Sequence, residues 1–237
     1  MIDSSLGERA DPHMTLFSTL LPLIFWTFYG LLSQAIGTQR PSMSSLMARQ
    51  RQRWVQNAVR RDTPIDGILT GNIMSAVSFF ASTSVLLILA MFAVIGQLND
   101  LLPTIRSLGW GSVYTDFDYQ AHFVVMLVMT VMAFLSFTLS LRHFNHFCIL
   151  LGAADHATDA DPAEVRAMSD LNAQGARHFN SGIRAYYFSL ANVGWFISST
   201  VGIIMAVGTI GFIIYREYFS AARGAIATLP SNINVKD

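Results

Sequence analysis

The sequence predicts an all-α integral membrane protein, a four-helix transmembrane bundle with short amphipathic cytoplasmic helices. Of its 237 residues, 52% are hydrophobic and only 13% are charged, whereas a soluble domain carries about a quarter charged residues. The apolar residues lie in four long stretches with few charges, and crossing the hydrocarbon core as a helix takes about 20 such residues. Open strands are excluded because hydrocarbon cannot satisfy the hydrogen-bonding groups at their edges.

The four predicted spans cover approximately 14–36, 67–99, 119–151 and 183–216 and form a single transmembrane domain, 1–237. Arginines are concentrated in the connections that follow the first and third spans. Because such connections stay in the cytoplasm, we expect a multi-pass protein of the bacterial inner membrane with both termini in the periplasm.

The first cytoplasmic connection predicts an amphipathic helix from about Ser42 to Arg61. Apolar and basic residues separate onto two faces of this helix. The apolar face has Met43, Met47, Trp54 and Ala58, and the basic face has Arg49, Arg53 and Arg60. Such a helix suits either the interface with anionic headgroups or packing against its own bundle.

The third connection contains a helix start. Asp161 can cap the helix, Pro162 fits the first helical position, and Glu164 follows at the spacing of a capping box. We therefore expect a second cytoplasmic helix that begins at Pro162.

Two spans have faces of small residues, which let membrane helices approach each other closely. The face in span four consists of Gly194, Ser198, Gly202 and Ala206, and the face in span two consists of Gly71, Ser75, Ser78 and Ser82. Both are predicted helix-packing sites, either within the chain or between subunits.

Polar residues gather near the cytoplasmic ends of the spans, whereas no Asp, Glu, Lys or Arg lies near the middle of any span. The absence of mid-span charge argues against an ion-coupled transporter. The cytoplasmic group could bind a lipid headgroup, a small anion or a loop of a partner. This predicted polar belt consists of Asp66, Asn72, Arg142, His143, Asn145, His146, Arg184, Tyr186 and Tyr187.

His143 and His146 share one helical face and are candidates for metal or haem binding. Hydrogen bonding to neighbours is the favoured alternative, because no further ligand follows at metal-site spacing. No cofactor is predicted. The sequence has no nucleotide-binding, metalloprotease or nucleophile-elbow motif, so we expect no enzymatic activity. The net charge of +0 gives no support for nucleic-acid binding.

Three segments, in this order, resemble the bacterial branch of domain-of-unknown-function family number 599. They are RQRWVQNAVRRDTPIDGILTGNIMSAVSFFASTS (Arg51–Ser84), LRHFNHFCILLGA (Leu141–Ala153) and FNSGIRAYYFSLANVGWFIS (Phe179–Ser198). The resemblance implies a multi-span membrane protein and brings no activity, cofactor or catalytic residue with it.

The leading functional hypothesis is a non-enzymatic scaffold or interaction subunit that self-associates through the small-residue face of span four. Its partners would be the lipid bilayer with its anionic headgroups, a second copy of the chain, or a larger membrane complex. One alternative is a passive oligomeric channel for small solutes, and another is a haem- or metal-binding membrane subunit.

Overall fold

The computed structural model describes residues 11–37, 40–61, 63–107, 114–154 and 161–229. These residues form eight α-helices and a 3₁₀ segment at Asn192–Phe196, with no strand. In chain order the helices are α1 (Pro12–Gly37), α2 (Met43–Ala58), α3 (Ile65–Gly96), α4 (Leu98–Ser107), α5 (Asp116–Ala153), α6 (Pro162–Ala191), α7 (Ser199–Tyr218) and α8 (Ala221–Ala227).

Four stretches of the described chain are long and apolar enough to cross a bilayer. They are Pro12–Gly37, Ile65–Gly96, Asp116–Ala153 and Ser199–Ala227. This confirms the predicted fold class, and the first three stretches coincide with the predicted spans near 14–36, 67–99 and 119–151.

The prediction of one continuous span over 183–216 is wrong. α6 ends at Ala191, the 3₁₀ segment follows, and α7 begins at Ser199. The Ser198 hydroxyl accepts from the Val201 backbone N–H at 3.2 Å, so it caps the new helix in place of the backbone carbonyls of α6.

The chain reverses direction at this break. The Tyr187 ring contacts the Phe212 ring at a centroid distance of 5.9 Å, and Gly194 lies against Met205. These contacts join residues before the break to residues after it in reverse order along the chain. The segments on the two sides of the break therefore form an antiparallel helical hairpin. Hydropathy could not reveal it, because the sequence has no charged residue from Ala185 to Tyr215.

Helices begin at both predicted starts in the connections, but α6 is not short, because it continues to Ala191 and so into the predicted span 183–216. α2 has Ser42 as its N-cap, whose hydroxyl accepts from the Ser45 N–H at 3.1 Å. α6 begins at Pro162, and the Asp161 carboxylate accepts from the Ala163 N–H at 2.9 Å. The start of α6 confirms the cap at Asp161 and the first helical position of Pro162 that the sequence predicted.

The contacts divide the chain into two compact units. Unit 1 comprises Met1–Leu31, Thr83–Ala133 and Ile183–Phe212, and unit 2 comprises Leu32–Ser82, Phe134–Gly182 and Ile213–Asp237.

Unit 1 has an aromatic core centred on Trp195, which is fully buried. The indole stacks on the Tyr114 ring and on the His122 ring, each at a centroid distance of 4.2 Å. The His122 Nε2 donates to the Asn192 carbonyl at 3.0 Å, which supplies a partner to the backbone where the helix is broken. This core therefore fixes the turn of the hairpin.

Unit 2 has an apolar core to which α2 contributes Val55 and Ala58, packed with Phe147 and Met168. The Trp54 ring meets Phe147 edge-on at 5.7 Å between centroids. α2 therefore packs against its own bundle, the second of the two alternatives that its amphipathic pattern left open.

Candidate functional site

Asp66 is the best-connected member of the predicted polar belt. It lies in the first turn of α3 and is only 3% exposed. One carboxylate oxygen, Oδ1, accepts from the Trp54 indole N–H at 2.6 Å and from the Arg61 guanidinium at 2.9 Å. The negative charge also suits the N-terminus of a helix. Asp66 therefore ties α2 to the start of α3, which is a structural role.

The two histidines proposed as metal ligands do not converge on a metal site. His143 stacks on His178 of α6, with ring centroids 5.0 Å apart, whereas His146 is exposed. Among the described residues, no group of three or more His, Cys, Asp or Glu side chains could hold a metal ion. Burial, together with the charge of Arg177, lowers the pKa of His178, which favours the neutral ring in the stack.

The remaining polar-belt residues of unit 2 join neither the contacts of Asp66 nor the stack of His143 on His178. Asn72, Arg142 and Asn145 are exposed. The last three predicted members belong to unit 1 and have separate contacts there. The Arg184 guanidinium lies 4.5 Å above the Tyr29 ring, the Tyr186 hydroxyl bonds the Ser84 hydroxyl at 2.6 Å, and Tyr187 packs on Phe212.

The small-residue face predicted in span four is used within the chain. Gly202 lies against the backbone of Trp195, where an added Cβ would come within 3.1 Å of the Trp195 Cα. Gly194 and Ala206 are also buried. Together with the capping residue Ser198, this face closes the hairpin of α6 and α7.

The small-residue face predicted in span two is not used within the described chain. Gly71, Ser75, Ser78 and Ser82 on α3 are all exposed, and nothing lies within 4 Å of a Cβ placed on Gly71. Only 11% of the most apolar window of α3 is buried, against 33%, 39% and 22% for the other three candidate spans. Within the described chain, α3 therefore presents a small, hydroxyl-bearing face that no helix covers.

Sequence reasoning missed several partners of the predicted residues. Trp54 and Arg61 donate hydrogen bonds to Asp66, and the His178 ring stacks on the His143 ring. Trp54 was placed on an apolar face, although its indole N–H needs an acceptor when it is buried. Asp66, twelve residues further along the chain, is the acceptor that the sequence offered for this N–H.

A family model described as "Protein of unknown function, DUF599" matches residues 17–222. The chain belongs to the DUF599 family. The resemblance found in the sequence is thereby confirmed, and the DUF599 match includes all four stretches that could cross a bilayer, apart from their outermost residues. No curated protein and no solved structure matches the chain.

Proposed function

We propose that this DUF599 protein is a non-enzymatic scaffold or interaction subunit of the bacterial inner membrane that self-associates through α3. The observation that carries the proposal is the uncovered face of Gly71, Ser75, Ser78 and Ser82. The small-residue face in α7 is already buried inside the chain, so α3 offers the face that a second copy can reach.

The exposed serines give the interface a driving force. Apolar contact alone does not favour association in lipid, because the lipid tails are as apolar as the helix. A serine hydroxyl that faces hydrocarbon lacks water, and hydrogen bonds between membrane helices contribute about 0.6 kcal/mol each on average. All copies have the same orientation in the membrane, so two α3 helices would pair in parallel about a two-fold axis.

Arginine distribution supports an orientation for the chain. Of the thirteen described arginines, eleven belong to unit 2, and only Arg106 and Arg184 belong to unit 1. By the positive-inside rule, we assign the first and third connections to the cytoplasm. The reversal at 192–198 returns α7 to the side on which α6 begins, so we assign the end of α7 to the cytoplasmic side as well. This replaces the expectation that both termini are periplasmic, which depended on a single fourth span.

Cysteine cross-linking tests the interface. Cys148 is the single cysteine, so Cys148→Ser gives a clean background. In this background, Ser78→Cys is expected to form a covalent dimer in native membranes on mild oxidation. Ala76→Cys is the control, because Ala76 is also exposed on α3 and two residues rotate a helix by about 200°. Equal cross-linking at both positions, or monomers alone at both, would contradict the proposal.

The same serines favour a second candidate, a passive pathway lined by the hydroxyls of several copies. Liposomes that contain the Ser78→Cys cross-linked protein separate the two functions. A scaffold leaves a trapped small solute in place, whereas a channel releases it.

A further inference from the structure

Unit 2 contains a cavity of about 620 Å³ that is not part of the predicted polar belt. Its walls come from α2, α6, the end of α7 and the start of α8. This volume lies in the range of ligand pockets, so the chemistry of its lining decides what it could hold.

Three arginines from three different helices line the cavity, namely Arg51, Arg177 and Arg216. The single carboxylate in the lining is Glu217, which accepts from the Ser44 backbone N–H of α2 at 2.9 Å. Within the described chain, Arg51 and Arg177 form no ion pair. The cavity therefore carries an excess of positive charge.

Arg51 is held in position before any ligand arrives. Its guanidinium donates to the side-chain oxygen of Asn172, an amide that is fully buried. Burial lowers the pKa of Arg51, because the charged form loses hydration without gaining a carboxylate. An anion in the cavity would restore that lost interaction through charge-assisted hydrogen bonds.

The N-terminus of α2 does not supply the anion site. The Ser44 N–H is occupied by Glu217, and the Ser45 N–H is occupied by the Ser42 hydroxyl. Recognition of an anion thus depends on the guanidinium groups, with the Asn180 amide beside them.

Apart from these groups and the serines Ser44, Ser45 and Ser220, the lining is apolar. Met43, Met47 and Phe179 form this part together with several alanines. Methionine adapts to irregular apolar ligands, so the cavity combines cationic groups with a wall suited to hydrocarbon. A fully polar anion would leave that wall unused.

The position of Arg216 indicates where such a ligand comes from. Arg216 lies in the last turn of α7, which belongs to a stretch long enough to cross the bilayer. Basic side chains at the end of a span lie at the depth of the lipid headgroups.

We propose that this cavity binds the phosphate of an anionic phospholipid through Arg51, Arg177 and Arg216, with the glycerol and first methylenes against Met43, Met47 and Phe179. The site goes beyond the scaffold role, and its ligand is independent of the α3 interface.

Lipid titration of the full-length protein in detergent, read by native mass spectrometry, tests the site. Phosphatidylglycerol is expected to bind at least tenfold more tightly than phosphatidylcholine. Arg177→Gln is expected to weaken phosphatidylglycerol binding roughly tenfold, because it removes a charge-assisted hydrogen bond to the phosphate. Arg51→Gln should weaken it similarly.

Two matched controls remove the same charge from the same helices. Arg49→Gln on α2 and Arg166→Gln on α6 change exposed residues outside the cavity and are expected to leave binding within twofold. Arg177 is itself exposed, so its variant is expected to fold normally even if Arg51→Gln does not.

Two outcomes would overturn the proposal. Equal losses in the control and cavity variants would mean that general surface charge attracts the lipid. Inorganic phosphate or glycerol phosphate that binds as tightly as the lipid, and displaces it, would make the ligand a free anion.

Discussion

Gly202→Ile is expected to lower the free energy of unfolding by about 3 kcal/mol, the upper end for overpacking a close contact. A Cβ at this position would lie 3.1 Å from the Trp195 Cα and 3.3 Å from the Trp195 nitrogen. These are backbone atoms of the 3₁₀ segment, so they cannot rotate away as a side-chain tip can. The branched side chain must separate α7 from the turn that it packs against.

Thermal unfolding of the detergent-purified protein, followed by circular dichroism, measures this effect. Gly208→Ile is the control, because it makes the same change on the same helix where nothing lies within 4 Å of the added Cβ. Isoleucine is a better helix former than glycine, so helix propensity predicts no loss at either position. If both variants lose the same stability, the tight contact at Gly202 is not its cause.

Asp66→Ala is expected to lower the free energy of unfolding by about 2–3 kcal/mol. The substitution removes the acceptor of the Trp54 indole N–H and of the Arg61 guanidinium at once. Trp54 is partly buried, and leaving a buried donor without a partner costs about 1–3 kcal/mol. The Arg61 side chain is 43% exposed, so solvent screens its contribution and the total stays below that of a fully buried pair.

Asp116→Ala is a close control for this prediction. Asp116 also lies in the first turn of a long helix and also pairs with an arginine, Arg106, but both side chains are exposed. An exposed pair contributes about 0–1 kcal/mol, so its loss is expected to be small in the same thermal measurement. Equal losses for the two variants would show that the helix N-terminus matters and that the contacts of Asp66 do not.

Composition predicted the parts of the fold that depend on solvation. The first three spans are runs of apolar residues, which water solvates poorly. The start of α6 was predictable for another reason, because Asp161 caps the helix through a local hydrogen bond. These features depend on neighbours in the sequence, so a single sequence is sufficient to identify them.

The reversal at 192–198 could not be predicted in the same way. Hydropathy measures whether a segment prefers lipid, and an apolar hairpin has the same preference as an apolar straight helix. Asn192, Gly194 and Ser198 were local signals for a break, since Asn and Gly are poor helix formers and Ser is a good N-cap. The deciding contact, the stack of Trp195 on His122, joins residues far apart in the sequence.

The cavity was missed for a related reason. The polar belt was predicted from depth along the spans, and depth does not specify the position of a residue around its helix. Arg51, Arg177 and Arg216 lie in three separate helices, and only the packing of those helices brings their side chains to one cavity.

The predicted spans require the chain to be embedded in lipid, and alkaline extraction of cell membranes tests that directly. High pH releases peripheral proteins but leaves embedded helices in place. We predict that the chain stays in the membrane pellet and enters solution only with detergent. Recovery of the chain in the aqueous supernatant as a stable monomer without detergent would contradict the account.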